Sequence, residues 1–158
     1  MKNVAILGAS GFVGHEIIKI CLKHPHVRIE ALSANKSVGE KVQIQDTIGI
    51  QESLEYKKYE DINFSSIDYV FNCLPNESLH KKSDLLKSDI SIIDLSVDFR
   101  LDDKNEYENW YGFQHGNFEV NDEFQYGLTE FNRNKIKKCK HIANPGCYAT
   151  SILIPLIE

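Results

Sequence analysis

No apolar stretch in this sequence approaches the ~18 residues needed to cross a bilayer, which excludes a membrane-spanning helix. Long blocks of one charge, low-complexity tracts and internal repeats are also missing, so neither a disordered chain nor a repeat array fits. Basic residues are outnumbered: 18 Lys and Arg against 23 acids leave a net charge of −5, which disfavours nucleic acid as a partner. The one basic run, Lys135, Lys137, Lys138 and Lys140, reads as a solvated helix end. Cys21, Cys73, Cys139 and Cys147 form no CxxC pair and have no metal-type spacing with histidine, so they read as thiols rather than a disulfide framework or a metal site. The apolar run after Met1 is interrupted at Gly8, Ser10 and Gly11, unlike a signal peptide, which makes the expected compartment the cytosol.

What remains is 158 residues, 42% hydrophobic and 26% charged, enough to bury one core of a domain of roughly 100–200 residues. Apolar strands are predicted at Asn3–Leu7, Val27–Ser33, Asp68–Pro75, Ile90–Asp94 and His141–Ala143. Helices are predicted at Glu16–Lys23, closed by Pro25, at Glu77–Lys87, near Asn132–Lys138 and after Cys147. Asn35–Gln51 reads as a polar loop with short extended pieces, and Asp98–Glu123 as a long aromatic and polar loop of the functional kind. Strands alternating with helices, the strands almost continuously apolar, indicate an α/β fold of the Rossmann-like, doubly wound type with a mostly parallel sheet. The last residues, from Ser151, begin an apolar helix that reaches Glu158 without a stop signal, the pattern of a fragment whose second domain is missing.

Gly8, Gly11 and Gly14 fall between the first strand and the first helix, where missing side chains let the backbone approach a pyrophosphate at a helix N-terminus. Gly8, Gly11 and Gly14 are therefore the candidate dinucleotide turn. The second strand ends in Ser33 and is followed by Asn35 and Lys36, with no acid at its tip to bind ribose hydroxyls; this favours NADP(H) over NAD. Cys147 follows Asn144-Pro145-Gly146 and should open a helix, whose positive end favours thiolate and so a nucleophile able to form a thioester. The other three cysteines read as small buried hydrophobes. Of six histidines, His15, His24, His26, His80 and His141 read mostly as surface residues, and His115, in the aromatic loop, is the one of interest. A noncatalytic NADP-binding module with a regulatory or redox-sensing role is the competing reading.

The segments Gly8-Ala9-Ser10-Gly11-Phe12-Val13-Gly14, Asp94-Leu95-Ser96-Val97-Asp98-Phe99-Arg100, Trp110-Tyr111-Gly112-Phe113, Tyr126-Gly127-Leu128-Thr129-Glu130 and Ala143-Asn144-Pro145-Gly146-Cys147-Tyr148 together resemble the N-acetyl-gamma-glutamyl-phosphate reductases, in the order of that family. The resemblance implies NADPH-dependent reduction of an acyl phosphate in arginine biosynthesis, with Cys147 matching the nucleophile, Ser10, Gly11, Phe12 and Val13 holding the pyrophosphate, and Pro75 and Ser96 on the nicotinamide side. Arg100 and Asn144 become candidate substrate contacts, Arg100 because a guanidinium suits oxyanions, with an ion pair to Asp98 or Asp102 as the alternative. Asn76 and Ala149 depart from the histidine and proline usual there. The resemblance divides the chain into a cofactor domain at 1–146 and, at 147–158, the nucleophile and the start of a further domain. That domain would supply the catalytic histidine and the homo-oligomer surface, and the chain alone would be inactive. A related semialdehyde dehydrogenase is the nearest alternative.

Overall fold

The computed structural model describes residues 1–42 and 54–157, so the expected Asn35–Gln51 loop lies beyond the described residues from position 43 onward. The chain divides into two compact units, Met1–Cys73 and Leu74–Glu158.

In the first unit, β1 (Lys2–Leu7) pairs in parallel with β2 (Val27–Ser33) and with the strand after a short β3 (Tyr56–Lys57), namely β4 (Tyr69–Asn72). β3 pairs with β2, which gives the order β3-β2-β1-β4. With a strand on each side, β1 buries four consecutive apolar residues, Val4 to Leu7, as expected of a central parallel strand. Between β1 and β2 runs α1 (Phe12–Lys23), which buries Gly14, Ile18 and Cys21 at helical spacing. It starts four residues before the predicted point because its N-cap is Gly11, in extended conformation, which carries no capping side chain to read. Past β2 the chain turns back on β3: Gly39 N–H donates to the Tyr56 carbonyl, Tyr56 N–H donates to the Glu40 carbonyl, and Lys41 bridges Glu55.

The second unit holds three parallel strands in the order β5-β7-β6: β5 (Ser91–Asp94), β6 (Phe124–Tyr126) and β7 (His141–Ala143). The helix expected over Glu77–Lys87 is cut to α2 (Ser83–Leu86), preceded by a 3-10 turn at Leu79–Lys81. A helix cannot start at Glu77, whose φ of 65° is left-handed, and the buried Asp98 carboxylate accepts instead from the amides of Glu77 (2.8 Å), Leu79 (3.1 Å) and His80 (3.2 Å). The long aromatic loop is also partly helical. α3 (Lys104–Tyr111) is capped by the Asp103 carboxylate, which accepts from the Asn105 and Glu106 amides, and it buries only Tyr107. α4 (Thr129–Ile136) begins three residues early, and α5 (Cys147–Ile157) follows β7. Although α5 is apolar, it exposes Tyr148, Ile152, Leu156 and Ile157.

Three histidines are interior rather than superficial: His80, His115 and His141 are each at most 4% exposed. Each accepts a main-chain amide at Nδ1, from Gly116 (2.7 Å), Asn117 (3.3 Å) and Ile92 (3.1 Å) respectively. These bonds require a neutral ring with its proton on Nε2, and burial lowers the pKa of all three, His141 to about 4.

Candidate functional site

The glycine turn leaves β1 through Gly8, whose φ of 71° lies in the left-handed region. The turn closes with the Gly11 amide on the Gly8 carbonyl (3.1 Å), while the Ala9 amide reaches the Ser33 carbonyl (2.8 Å) at the tip of β2. A Cβ on Gly14 would stand 2.5 Å from the Gly8 carbonyl oxygen and 2.7 Å from Ala9 Cα, so α1 rests directly on the turn's main chain. No side chain caps α1 and no acid lies in its first turn, which leaves its N-terminal amides to an anion. Phe12 and Val13 are exposed there.

Beside this turn lies a cavity of about 570 Å³ lined, among the described residues, by Ser10, His15, Ser37, Glu40, Lys41 and Tyr56. Of the predicted cofactor residues, Ser10 belongs to that lining, whereas Ser33, Asn35 and Lys36 do not. Ser33 is buried and contributes its carbonyl to the turn, while Asn35 and Lys36 are exposed. Ser37 and Lys41 were not singled out from the sequence. Their place depends on the loop folding back onto β3, and only their position in the polar stretch after β2 pointed to them. An uncapped helix N-terminus, a glycine that admits no Cβ and an adjoining polar cavity fit the diphosphate of a dinucleotide.

In the second unit, Cys147 is the first residue of α5 and is exposed, whereas Cys21 is buried and Cys73 and Cys139 are half-buried. Burial pushes the Cys21 thiol up to about 11 and also raises Cys139. Pro75 is exposed; Asn76 accepts the Val97 amide at 3.3 Å, a main-chain contact made by the residue that departs from the usual histidine. Ser96 is buried: its hydroxyl donates to Asp94 (2.8 Å) and accepts the Asp98 amide (3.1 Å). Arg100 Nε donates to the Asn144 carbonyl and one Nη to the Leu95 carbonyl, each at 2.8 Å. Among the described residues neither Asp98 nor Asp102 pairs with it, and no group of three His, Cys, Asp or Glu is placed to hold a metal ion. The Asn144 side chain donates to the Pro145 carbonyl (3.2 Å).

Parallel strands ordered β3-β2-β1-β4, with a glycine turn leading into α1, define a Rossmann-like dinucleotide-binding fold. Residues 3–139 match the family described as semialdehyde dehydrogenase, NAD binding domain, and the chain belongs to that family. It is 41% identical over 156 residues to a probable chloroplastic N-acetyl-gamma-glutamyl-phosphate reductase of Oryza sativa subsp. japonica, covering 98% of this chain and 38% of the relative. It is also 38% identical to the N-acetyl-gamma-glutamyl-phosphate reductase of Nitrosomonas europaea, covering 100% of this chain and 48% of the relative. The chain thus spans less than half the length of these curated relatives. Among solved structures, aspartate semialdehyde dehydrogenase II of Vibrio cholerae, in complex with ASA, shares the fold with a TM-score of 0.71 at 20% identity, covering 99% of this chain and 45% of that one. No helix among the described residues is long and apolar enough to cross a membrane.

Proposed function

We propose that the chain carries the cofactor-binding domain and the nucleophile of an NADPH-dependent reductase. That enzyme converts N-acetyl-glutamyl 5-phosphate to N-acetyl-glutamate 5-semialdehyde and phosphate. The supporting observation is the exposed Cys147 opening α5 on a chain of an NAD-binding family. Its relatives at 38–41% identity bear that reductase's name. An exposed helix-start thiol favours this reading over a noncatalytic nucleotide module.

In this reading residues 1–146 form the cofactor domain, and Cys147 opens the catalytic segment. The α1 N-terminal amides, with Gly8, Ser10, Gly11, Phe12, Val13 and Gly14, take the diphosphate. Ser33, Asn35 and Lys36, joined by Ser37 and Lys41, favour the 2′-phosphate, while Pro75 and Ser96 shape the nicotinamide side. Cys147 Sγ attacks the acyl carbon, the C–O bond to phosphate breaks, and inorganic phosphate leaves a thioester. Bound NADPH supplies the hydride for reduction. Sγ then departs as thiolate and the aldehyde is released. His80, His115 and His141 are built into the interior with Nδ1 committed to main-chain amides, which disfavours them as the acid–base group; in this reading that group belongs to the further domain that the resemblance implies. The chain alone is accordingly expected to be inactive, and its four cysteines suit the cytosol.

Fluorescence titration with NADPH and NADH tests the cofactor half. Saturable binding that prefers NADPH and weakens in Lys36→Glu or Lys41→Glu is expected; no binding of either nucleotide refutes the reading. Mass spectrometry after brief iodoacetamide treatment tests the nucleophile, with Cys147 expected to be alkylated well ahead of the other three thiols.

A further inference from the structure

The cavity beside the glycine turn is lined by charge of both signs. Among the described residues, Ser10 comes from the turn, His15 from the first turn of α1, Ser37, Glu40 and Lys41 from the segment after β2, and Tyr56 from β3. That segment is fixed through its main chain. The Glu40 amide donates to the Ser37 carbonyl (3.1 Å), Gly39 takes a left-handed φ of 83°, the Gly39 amide donates to the Tyr56 carbonyl (2.9 Å) and the Tyr56 amide to the Glu40 carbonyl (3.1 Å). His15, expected at the surface, is half-buried. Among the described residues no hydrogen bond or ion pair engages the side chains of Ser10, His15, Ser37 or Lys41, whereas Lys2 and Lys19 are paired at 2.7 Å with Asp68 and Glu16. A cation, a ring N–H and two hydroxyls left to a cavity suit a phosphate group. Glu40 does not. Burial raises the Tyr56 phenol and the charge of Glu40 adds to it, so that carboxylate bears on the cavity.

We propose that cofactor preference is set inside this one cavity by opposed residues: His15 joins Lys41 in taking the 2′-phosphate of NADPH, and Glu40 works against it. A carboxylate accepts ribose hydroxyls and repels a 2′-phosphate, which is the part an acid at the tip of the second strand plays in NAD-binding domains. His15 is thus a specificity-determining residue supplied by the helix, whereas the rule for choosing between the two nucleotides looks only to the end of β2. This rests on the turn being a dinucleotide site.

The test is fluorescence titration of His15→Gln and Glu40→Gln with NADPH and NADH, in the protein as its gene encodes it, with adenosine 2′,5′-bisphosphate and 5′-AMP as competitors. His15→Gln should weaken NADPH and the bisphosphate by roughly five- to tenfold, the loss of one charge-assisted contact, and NADH and 5′-AMP by less than about twofold. Glu40→Gln, at an exposed and therefore screened position, should tighten NADPH by about two- to threefold without tightening NADH. An equal loss of all four ligands in His15→Gln would make His15 a packing residue of α1 and overturn the inference, as would unchanged NADPH affinity. Should His15→Gln fail to fold, Glu40→Gln decides in its place, and NADPH affinity that stays level or falls refutes the opposition. A wild type that binds neither nucleotide refutes the dinucleotide reading itself. A wild type that binds both, with a ratio that neither variant moves, leaves that reading standing and refutes only this one.

Discussion

The buried set of Met1–Cys73 is apolar almost throughout: Val4, Ile6, Ile18, Ile29, Leu32 and Val70 typify it, with Ser33 and Asn72 as its polar members among the described residues. In Leu74–Glu158 the interior is shared between apolar side chains and, among the described residues, eight polar ones, including His80, Asp94, Asp98, His115 and His141. The first interior is non-directional; burying the right faces is nearly enough to specify it. The second is directional. Each polar group requires a partner, and those partners fix loops that have no periodic pattern of their own. The cofactor-side unit is thus set by packing, and the unit bearing Cys147 by a buried hydrogen-bond network.

The most direct way to break this contrast is Asp98→Ala. It strips the acceptor from three main-chain amides and from the Tyr107 hydroxyl (3.3 Å) in a site closed to water. Leaving several buried donors unsatisfied should cost on the order of 3–5 kcal/mol, measured by urea denaturation. Asp98→Asn keeps one carbonyl oxygen and should recover part of that. If both variants stay within ~0.5 kcal/mol of wild type, the network is decoration and packing governs both units.

Acid should also separate the units. Burial depresses His141 from 6.5 to about 4, outweighing Glu123, whose carboxylate lies 3.6 Å from Nε2 but is half-exposed and screened. Burial lowers His80 and His115 as well. Between those pH values the unfolded chain binds protons that the native chain refuses. The stabilisation is therefore complete above about pH 6.5 and is lost as pH falls toward 4. For His141 alone the loss is on the order of 3 kcal/mol. In the first unit, the hydrogen bond from Lys2 Nζ at 2.7 Å holds Asp68 low, so its stabilisation is intact throughout this window and is lost only at lower pH. Hydrogen exchange at pH 5 against pH 7 should show protection falling in β5 and β7 before β1 and β2. His141→Asn retains an acceptor for the Ile92 amide and should flatten the acid limb; an unchanged limb would assign it to the other two histidines.

The same contrast explains what could be read from the residues. β2 at Val27–Ser33 matches its prediction, and β1 nearly does, because their apolar runs meet an apolar interior. Beyond residue 74 the apolar period misleads: Glu77–Lys87 looks helical, yet Glu77 takes a left-handed φ and Asp98, far along the chain, pins the turn that follows. α3 buries only Tyr107 and so shows no apolar stripe, although its Asp103 cap stands in the sequence. β6 has three residues and is defined by its partner β7. The position of Cys147 at a helix start was legible from Asn-Pro-Gly, since proline and glycine punctuate locally. Lys41 in the cavity was not, because a fold-back through the Tyr56 main chain puts it there.

A matched pair of glycine substitutions gives the smallest and sharpest comparison. Gly14→Ala drives its methyl against main chain alone, the Gly8 carbonyl oxygen at 2.5 Å and Ala9 Cα and carbonyl carbon at 2.7 and 2.9 Å. Nothing in that set can rotate away, so α1 must lift from the turn, at roughly 1–3 kcal/mol by the usual cost of overpacking. If the α1 amides take the diphosphate as proposed, NADPH affinity should fall further than the stability change alone requires. Gly127→Ala in the second unit also makes a short contact, 2.6 Å, but with the Cγ2 methyl of the half-buried Ile142, and its nearest main-chain atom is 3.3 Å away. Clearing it requires Ile142 to turn about χ1, which is stiff in a β-branched side chain but still softer than main chain, so the cost should fall at the low end of the same range, about 1 kcal/mol. Equal costs in the two variants would mean that steric fit governs the second unit as tightly as the first. A larger cost at Gly14 locates the stringent packing where the dinucleotide turn meets its helix.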